Sequence, residues 1–90
     1  MNKENIIYQL RNLVNNFDLT SDKKEVLLDY FSRISETRQS EIYFILLKNP
    51  SYIERLADFV SREKTAIANN DEESLLKIFA EEIAEVEKII

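Results

Sequence analysis

The side chains able to do chemistry in this 90-residue chain are carboxylates, amides, tyrosines, lysines and arginines, because it holds no histidine and no cysteine. That removes the commonest general base, the commonest zinc ligand and every thiolate nucleophile. Acid–base work would then fall to a carboxylate pair whose surroundings push two pKa values apart, and no such pair is flanked by apolar residues in the sequence. The run Asn69-Asn70-Asp71-Glu72-Glu73 carries oxygen at every side chain and invites a calcium reading. A calcium loop needs a glycine at its sixth position and a glutamate at its twelfth. The chain has no glycine, and the twelfth position counted from Asn69 is Ala80, so helix capping accounts for the run better. Di-metal carboxylate bundles need a Glu-x-x-His pair from each of two helices, which the missing histidine forbids. The expectation is a non-enzyme, with no catalytic residue, no cofactor and no metal.

Two stretches could instead recognise a partner. Ile42-Tyr43-Phe44-Ile45-Leu46-Leu47 is the longest apolar run and ends at Lys48-Asn49 and the single proline, Pro50. On a helix Ile42, Ile45 and Leu46 fall on one side, while Tyr43, Phe44 and Leu47 fall roughly opposite. A helix apolar on both sides must be covered on both sides. Tyr43, Phe44 and Leu47 are therefore the candidate partner-binding face, since tyrosine and phenylalanine give large rigid contact area at low entropic cost. The competing reading is a central helix wrapped by the others. The second stretch is Glu81, Glu82 and Glu85, an alternative acidic face opposite an apolar seam; its plain reading is a solvated surface.

The charge is distributed to match. The net −5 resides entirely in residues 71–90, where seven acids stand against Lys77 and Lys88, and the first seventy residues are balanced. A chain without basic excess is a poor binder of phosphate backbones, and Arg55 and Arg62, seven apart on one face, have Glu54, Asp58 and Glu63 among them. No direct nucleic-acid contact is expected. No apolar stretch approaches the roughly 20 residues that span a bilayer, and the start does not read as a signal peptide, so no membrane association is expected either. The absence of cysteine leans towards a cytoplasmic setting.

These groups must be carried by helices. The 44% hydrophobic and 32% charged fractions are those of a globular chain, and without glycine the tight hairpin turns lose their usual residue. The spacing of Ile6, Leu10, Leu13 and Phe17 predicts a helix over about 3–16, ended at Asn15-Asn16, which tolerate a left-handed cap. Thr20 or Ser21 caps a second helix over 21–35, with the stripe Leu27, Phe31 and Ile34. A break at 35–38 precedes a third over 38–48; a continuous helix from 21 to 48 would be about 42 Å long and overhang a domain of roughly 31 Å diameter. Asn49 is expected to cap a fourth helix, with Pro50 at its first position and the stripe Ile53, Leu56 and Val60, over 50–68. Asn70 paired with Glu73 reads as the capping box of a fifth, over 71–90. Its seam, Leu76, Phe79, Ile83, Val86 and Ile90, is the most regular in the chain.

The sequence thus predicts a single domain over 1–90, an all-α compact bundle of four to five short helices. Thirty-four large apolar side chains are many for so small a domain. That surplus favours a small acidic protein–protein interaction module (a homodimer, an adaptor or a stoichiometric inhibitor) whose partner is another protein or a second copy. The alternative is an acidic mimic of nucleic acid that occupies the basic groove of a nucleic-acid enzyme.

Overall fold

The computed structural model describes residues 3–89, and its side-chain environments begin at Ile6. Five helices follow one another, α1 Lys3–Asn16, α2 Ser21–Arg33, α3 Glu36–Lys48, α4 Tyr52–Ala68 and α5 Glu72–Ile89, and no strand occurs among the described residues. The fold is the expected all-α bundle of short helices. α1 packs on α2 and α3, α2 on α4, and α4 on α5; α3 only grazes α4 and α5.

Local chemistry explains each boundary. Thr20 Oγ1 accepts the Lys23 amide at the start of α2, satisfying one of the orphan donors of a helix N-terminus. α2 stops at Ile34, where the backbone turns extended, and Ser35 accepts the Arg38 amide to open α3. The break therefore falls just ahead of the expected 35–38. It is sealed by Gln39, whose Nε2 donates to the carbonyls of Phe31 at 2.9 Å and Ile34 at 3.5 Å, caring for the loose end of α2.

Two caps differ from expectation. Asn49 closes α3 rather than capping α4 with its side chain. Pro50 and Ser51 form a tight turn whose carbonyls are bonded three residues on, and α4 proper begins at Tyr52. α4 starts two residues later than expected, so Ser51 stands at its N-cap position, and the Asn49 amide oxygen accepts the Ser51 hydroxyl at 2.7 Å instead. At the other end, Asn70 takes the left-handed conformation (φ 53°) and terminates α4. The Asp71 amide then reaches back to the Ala66 carbonyl and the Asn70 amide to the Ile67 carbonyl, a Schellman closure made on asparagine in a chain without glycine. A residue so used cannot also cap α5, and Asp71 does so, accepting both the amide and the hydroxyl of Ser74. Those two bonds hold the Asp71 carboxyl below the usual carboxylate range. Asn16, by contrast, ends α1 without a left-handed turn.

The core runs through all five helices: Leu10 and Val14 from α1, Leu27 and Phe31 from α2, Ile42 and Leu46 from α3, Ile53, Leu56 and Phe59 among others from α4, and Ile78 from α5. α4 supplies half of the buried set and is the axis of the bundle. α5 supplies one fully buried residue and lies outermost.

In the longest apolar run Ile42 and Leu46 are buried and Leu47 is exposed. Leu46→Ala should therefore cost about 2–5 kcal/mol of stability, as buried leucines do. Leu47→Ala should stay within about 0.5 kcal/mol of wild type. Urea denaturation of the two variants side by side makes the comparison; equal losses would contradict the observed division.

Candidate functional site: an apolar groove over a carboxyl pair

α5 is turned differently from its sequence pattern. The seam Leu76, Phe79 and Ile83 does not face the bundle; all three are exposed, by 68%, 40% and 59%. The residues facing inward are Leu75, Ile78, Glu82, Glu85, Val86 and Ile89, and Ile90 lies outside the described residues. The cause is the surface that α4 offers. Arg55 and Arg62 flank the ring of Phe59, with guanidinium carbons 5.0 and 5.9 Å from its centroid. Arg55 donates to Glu85 at 3.1 Å and Arg62 to Glu81 at 2.6 Å. The acids of α5 are thus drawn towards α4, and the apolar seam is carried to the outside. Each exposed pair contributes only about 0.2–1 kcal/mol, so the pairs choose the rotation of α5 more than they fasten it.

Glu81, Glu82 and Glu85 consequently do not form an open acidic strip. Glu81 and Glu85 are committed to arginines, and Glu82 meets Glu63 of α4. The two arginines are engaged in the same seam.

The Glu63–Glu82 encounter, a carboxyl pair between α4 and α5, is the feature that sequence reading missed. Glu63 Oε2 and Glu82 Oε1 are both buried, and neither has a donor to pair with among the described residues. Two carboxylates can only accept, so the arrangement is satisfied when one carries a proton and donates it to the other. Burial, then the hydrogen bond to Glu82, then the charge of Glu82 raise the Glu63 carboxyl to about 8, with Arg38 opposing. Around the pair stand Tyr30 of α2, Arg38 of α3 and Tyr52 of α4. Burial raises both phenols, Tyr52 to about 12, and the nearby carboxylates add to the effect. Arg38 reaches the Tyr30 hydroxyl and holds Glu41 at 3.3 Å. No sequence signal pointed to the pair, because Glu82 lies opposite the apolar seam of its own helix.

Above this polar cluster, between α3 and α5, lies a groove of about 440 Å³. Its floor is Ile42, Tyr52 and Leu56; Phe44 and Ile45 stand on one lip and Ile83 and Val86 on the other. Glu82 and Arg38 belong to both groove and cluster. Of the residues expected to meet a partner, Phe44 (64% exposed) lines the groove, and Leu47 (53% exposed) shares its open side of α3 without lining the groove. Tyr43 departs from them: it is half-buried against the core, because it lies three residues before Leu46 and so on nearly the same side.

Comparison with protein-family models, with curated proteins and with solved structures found no match. No helix among the described residues is long and apolar enough to cross a membrane. Nor do those residues bring three or more acidic, histidine or cysteine side chains together in a way that could hold a metal ion.

The raised Glu63 carboxyl has a definite sign in stability. Its ordinary value is 4.5 and its folded value about 8, so between these the native chain holds a proton that the unfolded chain has lost. Stability from this group is complete below pH 4.5 and declines as pH rises to about 8. Glu63→Gln presents an amide donor to Glu82 at every pH and should flatten that decline. Thermal unfolding of both proteins across this window checks the difference in slope; an unchanged slope in the variant would remove Glu63 as its origin.

Proposed function

We propose that the chain is a small, acidic, non-catalytic protein–protein interaction module that receives an apolar helix along the α3–α5 groove and the outer face of α5. The observation that supports this most is the exposure of Leu76, Phe79 and Ile83 on the outermost helix, with Phe44 across the groove. Contiguous apolar surface of this kind is uncommon on monomers and marks a contact. The stripe has the alternating three- and four-residue spacing of a helix–helix seam. Between Lys77 and Glu87 the outward residues beside it are Ala80 and Ala84, small enough for a second helix to approach closely.

The first occupant to test is a second copy, since a two-fold axis lays one α5 stripe against another. The absence of cysteine agrees with action in the cytoplasm. The acidic-mimic reading has less support, since it requires carboxylates free to meet a basic groove, and two of the three candidates already hold arginines.

Sedimentation equilibrium from micromolar to millimolar concentration tests the proposal. The wild type should show a concentration-dependent mass, and Ile83→Asp should sediment as a folded monomer, since a charge on an exposed position leaves the fold in place but spoils an apolar seam. A wild type that stays monomeric throughout would reject the homodimer and make the occupant a different protein. Salt separates the remaining alternative: an apolar contact should hardly weaken with ionic strength, whereas an acidic mimic's binding should fall steeply.

A further inference from the structure

We propose that Glu63 and Glu82 form a proton-operated latch on α5: with a proton between them they hold α5 against α4, and without it they push α5 away and open the groove.

The latch stands on geometry. Glu63 is on α4 and Glu82 on α5, so any force between them acts across the one substantial interface that holds α5. Both facing oxygens are buried, so the force is poorly screened by water. No protein donor reaches them, so a single proton decides between a hydrogen bond and a repulsion. α5 is also the helix least able to resist, with one fully buried side chain, Ile78. Glu82 lines the groove as well, and its movement would shift Ile83 and Val86 on that lip.

The other charged and titratable groups facing the pair do not replace this role. From α2 comes Tyr30, whose phenol is held neutral by burial beyond the pH range concerned. From α3 comes Arg38, which eases the second negative charge but is shared with Glu41 and Tyr30. From α4, Tyr52 is pushed up to about 12, while Arg55 and Arg62 are held by Glu85 and Glu81 of α5. Among these groups facing the pair, Glu63 is the one whose raised carboxyl changes charge in mildly alkaline solution. The latch needs no partner, so it stands or falls separately from the interaction module.

Carboxyl-carbon and amide NMR on the full chain, titrated from mildly acidic to alkaline pH, makes the test. The expected result is that the Glu63 carboxyl carbon titrates near pH 8 and that α5 amides move with the same midpoint, while α1 and α2 amides do not. In Glu63→Gln and Glu82→Gln, which keep the shape of the pair and remove one charge, the α5 amides should no longer respond. A Glu63 carboxyl titrating in the ordinary carboxylate range would overturn the proposal. So would α5 amides that stay still while Glu63 titrates, or that move equally in both variants. Should either variant fail to fold, the wild-type titration decides alone.

Discussion

The structure depends on how two helices bearing charge on their facing sides can be closed together. α4 presents Arg55, Arg62 and Glu63 to α5, and α5 answers with Glu85, Glu81 and Glu82. Two of the three meetings join opposite charges, and the third joins like ones. The two ion pairs are partly exposed and weak one by one, yet the rotation of α5 that lets both form turns Leu76, Phe79 and Ile83 outward and leaves the groove that Phe44 shares with Ile83.

The reach of each interaction along the chain explains what was legible in the sequence. The five helices, the punctuation at Asn49-Pro50 and the buried sets of α2, α3 and α4 could be read because periodicity and local capping act within a few residues. Thr20 is such a case, since its oxygen serves a donor three positions away. Asn70 was misread by one position because two local motifs competed for it, and the left-handed closure of α4 prevailed over the start of α5. The facing side of α5 was not legible at all. Its apolar seam was the most regular in the chain, and Arg55 and Arg62, thirty and nineteen residues before their partners, accompany its outward turn. The carboxyl pair escaped for the same reason, as nothing beside Glu63 or Glu82 in the chain announces the other.

The site couples two kinds of chemistry that are usually kept apart. The groove is apolar where Phe44, Ile45, Ile83 and Val86 line it, and polar where Arg38 and Glu82 enter its wall. An occupant would gain from covering the first and would have to respect the second, because any rise in burial around Glu82 strengthens the demand for a proton between the two carboxyls.

The corner between α2 and α3 carries a different consequence. Ile34 and Ser35 are all that separate two helices which, run together, would reach about 42 Å, longer than the 38 Å of the whole molecule. Gln39 holds the corner by spanning it with one amide. Were the corner to straighten, α1 and α2 would leave the rest of their own chain with every one of their contact surfaces intact, and a second straightened chain would offer the matching half. Exchange of halves between copies needs no new interface, only an opened hinge. The two hydrogen bonds of Gln39 are what such an opening would have to break at the hinge.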